Sequence, residues 1–181
     1  GQDAMKFVIN QTKLTCISTS AVNAKKLMTL KIEDTTGKSQ TLKNLILFED
    51  EISKELMACN AKAGFSLHLF KDVIALGQKL KNVRRAFLSL PTKDDVCMFS
   101  YTSGITGEPK AVKITHKMMM TRLLSMRGTE EDAYISFLPS AHLFEQCLIG
   151  MSLKFGIQTG FFNGNPLKLF EDMAILKPSL F

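Results

Sequence analysis

The chain has 181 residues, 45% hydrophobic and 22% charged, a length and balance that allow one sizeable core in an ordinary globular protein. Its 23 Lys and Arg against 17 Asp and Glu give a formal charge of +6, but the basic residues are scattered among apolar ones and suit small anionic molecules better than a nucleic-acid stripe. With two Tyr, no Trp and none of the 13 Phe interleaved with basic residues, no base-stacking platform is visible, and no nucleic-acid partner is expected.

Short β-like runs alternate with helical patterns throughout, the signature of an α/β fold with layered, parallel-rich sheets and flanking helices. "DAMKFVINQTK" predicts a helix with Ala4, Phe7 and Val8 on one side, "LTCIS" a strand, and Ser20 the cap of a helix over "AVNAKKLMTLK". "KNLILFED" reads as a continuous apolar strand, "EISKELMACNAKA" as an acid-started helix ended by Gly64, and "FSLHLF" as a short strand. A third unit runs through "KDVIALGQKLK", and "RRAFLSLPTKDD" is a surface connection marked by Pro91. Val96, Met98 and Phe99 enter a polar loop as a strand; Ala111, Val112 and Ile114 leave it as another. His116 to Arg127 reads as a helix whose run Met118, Met119 and Met120 packs in the core with one member exposed. "YISFLP" is a strand stopped by Pro139, and "LFEQCLIGMSLKF" an apolar helix ended by Gly156. After the strand "IQTGFF" and the turn "NGNP", "LKLFEDMAILK" is a helix with Leu169, Phe170, Met173 and Leu176 facing inward. The closing "PSLF" reads as the start of another strand, and the chain opens without an initiator Met. A sheet broken off at an apolar edge is a liability that intact domains avoid, so residues 1–181 are expected to be a fragment of one domain of a longer protein. No repeat, low-complexity tract or linker divides them.

Cys16, Cys59, Cys97 and Cys147 lie too far apart for a metal or redox motif and are expected to be buried reduced thiols. His68, His116 and His142 are equally dispersed, so no metal is assigned to protein ligands from this chain. No apolar run approaches the roughly 18 residues that span a bilayer.

The polar loop carries the chemistry. Thr102, Ser103, Gly104, Thr106 and Gly107 place hydroxyls and unhindered backbone N–H groups close together, and Lys110 adds a mobile cation, a set suited to wrapping polyphosphate oxygens. A decorated hairpin turn collects the same residue types for its own reasons. The spacing is not that of the common NTPase P-loop, since Pro109 stands where its second glycine would be.

In full order, "YTSGITGEPKAVKITH" resembles the Tyr-Thr-Ser-Gly-Thr-Thr-Gly-x-Pro-Lys-Gly signature of the AMP-forming acyl-CoA synthetases and related adenylating enzymes. "YISFLPSAHLFEQ" is similar to a Leu-Pro-Leu-Ala-His-x-Phe-Glu segment of the long-chain fatty-acid branch, and "GFFNGNPLKLFEDMAILKPSLF" to the stretch that follows it there. The resemblance implies a partial large N-terminal, AMP-binding domain, with the small C-terminal domain absent. It also implies a two-step ligase reaction: a fatty-acid carboxylate attacks the α-phosphate of ATP, giving an acyl-adenylate and pyrophosphate, and coenzyme A then displaces AMP. By the same resemblance Thr102, Ser103, Gly104, Thr106, Gly107 and Lys110 hold the ATP phosphates. Thr106 and Lys110 stabilise the departing pyrophosphate, His142 touches carboxylate and adenylate, Phe144 lines the acyl tunnel, and Glu145 is a structural partner. Mg2+ would bridge phosphate oxygens and a glutamate from a later motif. The parent's setting would be the cytoplasmic side of the endoplasmic reticulum, peroxisome or another membrane, with peripheral association through parts outside this chain.

Read without the resemblance, a lone His between Ala141 and Leu143 is a packed residue with one hydrogen bond. Ile105 stands where the signature has a hydroxyl, Ala111 replaces Gly and Gln146 replaces the usual Arg. These departures keep open a non-catalytic pseudoenzyme or interaction module with a residual nucleotide loop. An adenylating ligase of another branch is the remaining alternative, and the fragment alone is expected to be inactive.

Overall fold

Leu45 and Leu47 lie in the apolar run Asn44–Leu47, which forms β2, the middle strand of a three-stranded parallel sheet. Its neighbours are β1 (Cys16–Thr19) and β3 (Ser66–Leu69), with Cys16 opposite Asn44 and Leu47 opposite Leu69. Helices α1 (Gln2–Thr12), α2 (Ala21–Ile32), α3 (Lys54–Ala63) and α4 (Phe70–Lys79) alternate with these strands. The structure, a computed structural model, describes residues 2–34, 37, 41–80, 90–102 and 109–181. Two compact units divide the chain, residues 1–89 with 104–109 and residues 90–103 with 110–181.

In the first unit Ile9, Leu27, Met28, Leu45, Leu47 and Leu56 form one buried cluster. Ile9, rather than Ala4, Phe7 or Val8, is the fully buried residue of α1. Ser20 occupies the N-cap of α2 but makes no side-chain cap bond. The Ala21 N–H donates instead to Glu49 Oε1 at 2.6 Å, so a carboxylate beyond β2 meets a helix-end donor that the local residue leaves open. Helix α3 begins at Lys54, later than its acidic lead suggested, because Ser53 accepts the Leu56 N–H at 3.2 Å. It ends at Gly64 in the left-handed conformation, φ 67°, as read from sequence. Cys16 and Cys59 are exposed free thiols rather than buried ones, and neither belongs to the buried cluster.

The second unit opens on an antiparallel hairpin, β4 (Val96–Thr102) and β5 (Lys110–Thr115), with Thr102 directly opposite Lys110. Helix α5 (His116–Ser125) is capped by Thr115, whose side chain accepts the Met118 N–H. Then come β6 (Ala133–Ser136), α6 (Leu143–Phe155), β7 (Gln158–Phe161) and, after a single 3-10 turn, α7 (Leu169–Leu176). Strands β6 and β7 are parallel, and Leu180 makes a parallel bridge to Tyr134. Tyr134, Leu148, Met151 and Ile157 are the buried centre. A Cβ on Gly160 would lie 2.5 Å from Leu176 Cδ2, so the missing side chain lets α7 settle on the strand. On α7 Phe170 points outward, 78% exposed, against expectation; Leu169, Met173 and Leu176 are half-buried. Met118 and Met120 are also exposed, and only Met119 is half-buried, because α5 buries no residue completely.

Gly156 ends α6 at φ 71°. Gly156→Ala is expected to lower stability by about 1 kcal/mol, the cost of a side chain in the left-handed region. Denaturant unfolding measures it, and an unmoved midpoint would contradict the cap.

Candidate active site

The turn from β6 to α6 places His142 at the N-cap of the helix, where Nδ1 accepts the Phe144 N–H at 3.2 Å. With Nδ1 accepting, the neutral ring carries its proton on Nε2, which makes that nitrogen a donor. His142 is exposed and lines two cavities of the second unit. The first, of about 390 Å³, is walled mainly by apolar side chains, among them Ile114, Met119, Leu143, Phe144 and Cys147, with Arg122 at its edge. The second, of about 410 Å³, is lined by Ser100, Tyr101 and Thr102 of β4, Val112 and Ile114 of β5, and Pro139, Ala141, His142 and Leu143. One imidazole thus stands between an apolar hollow and the end of the strand that leads into the Ser/Thr/Gly loop.

The structure brings Thr102 and His142 to one cavity and His142 and Phe144 to the other. Lys110 is exposed at the start of β5, paired with Thr102 across the hairpin, and lines neither. Ser103, Gly104, Thr106 and Gly107, with Ile105, lie outside the described residues. Phe144 is 40% exposed at the mouth of the apolar cavity. Glu145, expected to be a structural partner, is 1% exposed and accepts from Tyr134 Oη at 3.3 Å and from Ser136 Oγ. Burial, together with the Glu145 carboxylate, pushes the Tyr134 phenol above its ordinary value and keeps it a donor.

Sequence reading did not reach Met119, Leu143 or Arg122 as cavity residues, and it took Cys147 only as a buried thiol. Cys147 is buried, with its Sγ 3.9 Å from Met119 Sδ, and burial pushes its thiol upward, away from nucleophilic character. No local signal distinguishes these residues from core positions, since a cavity wall and a core share the same apolar composition. At the base of the same sheet, Asp132 accepts from Ser179 Oγ at 2.7 Å and from the Thr129 N–H at 2.8 Å. These bonds, the serine's first, hold its carboxyl below the ordinary range.

Long chain acyl-CoA synthetase 6, peroxisomal, from Arabidopsis thaliana is 30% identical over 185 residues, covering all of this chain and 25% of the relative. Fatty acyl-CoA synthetase A of Dictyostelium discoideum is 27% identical over 99% of this chain and 26% of its own length. Long-chain-fatty-acid--CoA ligase 1 of Cavia porcellus is 29% identical over 100% of this chain and 26% of its own. The chain therefore spans about a quarter of the length of the curated relatives it matches. Among solved structures, the A-PCP didomain of carboxylic acid reductase from Segniliparus rugosus in complex with AMP is similar in fold. Its TM-score is 0.76 at 19% identity, over 99% of this chain and 26% of that one. The adenylation domain of a carboxylate reductase from Mycobacterium chelonae gives a TM-score of 0.73 at 18% identity, over 99% of this chain and 29% of that one. The model of the family described as AMP-binding enzyme matches residues 1–181, and the chain belongs to that family.

Proposed function

We propose that the protein carrying this chain activates long-chain fatty acids, joining fatty acid, ATP and coenzyme A into acyl-CoA, AMP and pyrophosphate through an acyl-adenylate. The observation that carries the reading is the placement of His142 between an apolar cavity and the cavity at the end of β4. An acyl chain suits the first, because apolar contact without buried polar partners favours a hydrocarbon. A carboxylate at its mouth would meet the Nε2 donor of His142. The relatives named as acyl-CoA synthetases support the same substrates.

In this reading residues 1–181 are part of the AMP-binding domain of a longer protein. Thr102, Ser103, Gly104, Thr106, Gly107 and Lys110 hold the ATP phosphates, with Lys110 and Thr106 meeting the charge that grows on departing pyrophosphate. Phe144 borders the acyl chain. Among the described residues no three His, Cys, Asp or Glu side chains gather to hold a metal; in this reading Mg2+ would be held by the ATP phosphates and a glutamate of a later motif. Among them, too, no helix is long and apolar enough to cross a membrane. Attachment to a peroxisomal or endoplasmic-reticulum surface is proposed through other parts of the protein. Ile105 favours one second reading, a non-catalytic relative with a weakened phosphate loop, because it removes a hydroxyl donor from that loop.

The test is calorimetric titration of the full-length protein with ATP, followed by an acyl-CoA assay with palmitate. Thr106→Ala with Lys110→Ala is expected to weaken ATP binding by roughly 1.5–3 kcal/mol, the scale of hydrogen bonds to charged groups. Unchanged affinity would remove the phosphate role, and ATP binding without acyl-CoA formation would favour the second reading.

A further inference from the structure

Glu145 is the third residue of α6 and among the most deeply buried charged groups described, 1% exposed. One oxygen, Oε1, takes both hydroxyl donors, Tyr134 and Ser136; the other, Oε2, is buried with no hydrogen-bond partner. Tyr134 and Ser136 stand two apart on β6, so they leave the strand on the same face. A single face of the strand thus grips the first turn of the helix through one oxygen atom. Residues 137–142 make the short connection, and the three residues just before Glu145, namely His142, Leu143 and Phe144, all line the apolar cavity. Glu145 itself lines neither of the two cavities.

A buried carboxylate is a poor device for stability, since desolvation offsets most of what its bonds contribute, and an apolar residue would fill the space as well. Its bonds instead fix a direction. A carboxylate that accepts from two hydroxyls on one strand has one place to sit, and the helix turn that carries it is fixed with it.

We propose that Glu145 is a positioning residue of the acyl site: the Tyr134–Glu145–Ser136 clasp sets where His142 and Phe144 stand at the cavity. This inference rests on the fatty-acid reading above.

The test is steady-state acyl-CoA formation by the full-length protein with palmitate, ATP and coenzyme A. Glu145→Gln keeps a carbonyl oxygen that accepts both hydroxyls, and its fatty-acid KM is expected to stay within about twofold of wild type. Tyr134→Phe with Ser136→Ala removes the clasp and leaves every polar cavity residue in place. Its fatty-acid KM is expected to rise about tenfold, the scale of losing a hydrogen bond to a charged group. Either single variant, which keeps one donor and folds more readily, should give an intermediate rise and carries the test if the double variant does not fold. A merely structural role would lower kcat with the active fraction and leave KM unmoved, and that result overturns the inference. A Glu145→Gln enzyme as impaired as the double variant overturns it too, because charge and not the clasp would then matter. Wild-type protein that makes no acyl-CoA overturns the fatty-acid reading and this inference together; active wild type with unmoved KM in the clasp variants overturns the inference alone.

Discussion

Met119→Trp is expected to lower kcat/KM for palmitate by about 10- to 200-fold, the discrimination that apolar pocket contacts supply, while octanoate is affected much less. Met119 lines the apolar cavity beside Cys147 and does not line the cavity that holds Thr102. In the fatty-acid reading an indole there takes volume that a long acyl chain would fill and leaves His142 unchanged. A short acid needs less of that volume. Overfilling such a site costs roughly 1–3 kcal/mol, the same scale as the loss expected for the long acid. ATP affinity should stay unchanged, which separates the effect from misfolding. Equal losses for palmitate and octanoate would show that the cavity does not take the chain, and no loss for either would remove Met119 from its wall.

The strand and helix order was legible because each apolar run is short and two of the helices carry a glycine stop, Gly64 and Gly156, both left-handed as their positions required. What stayed illegible depends on residues that meet only after folding. Ser20 looks like a cap, yet Glu49 on a later segment takes the Ala21 N–H, and nothing local distinguishes the two outcomes. Phe170 fits the inward stripe of α7 by spacing, but the helix begins at Leu169 after a 3-10 turn, and the ring faces solvent. The two compact units follow no change of composition. The site shows the same division. His142 and Thr102 are 40 positions apart in sequence, and only the likeness to a known family joined them before the hairpin and the β6–α6 turn brought both to one cavity. The Tyr134–Glu145–Ser136 clasp was out of reach, because a strand hydroxyl pair and a helix carboxylate are each ordinary alone.

Leu47→Ala is expected to cost about 2–5 kcal/mol of stability, the range for truncating a fully buried leucine. Leu47 is 0% exposed on the middle strand of the parallel sheet, with β1 and β3 bonded on either side, so the backbone has little room to collapse into the space left. Leu45, two residues earlier and also 0% exposed, shares its face. Leu27, Met28 and Leu56 belong to the same buried cluster, and truncation removes dispersion contacts that no rotamer change restores. Phe48, just past the end of the strand, is the control: it is 60% exposed and meets Phe70 edge-on, with ring centres 5.8 Å apart. Phe48→Ala should therefore cost about 0.5–1.5 kcal/mol, the worth of an aromatic pair. Urea unfolding of both variants gives the comparison, and a Leu47→Ala loss no larger than that of Phe48→Ala would put the core elsewhere. The kinetic outcome follows from the same placement. The two cavities are lined by residues of the second unit, so Leu47→Ala should reduce the amount of active protein on warming while fatty-acid KM stays at its wild-type value. That is the opposite signature to loss of the Glu145 clasp, which moves KM.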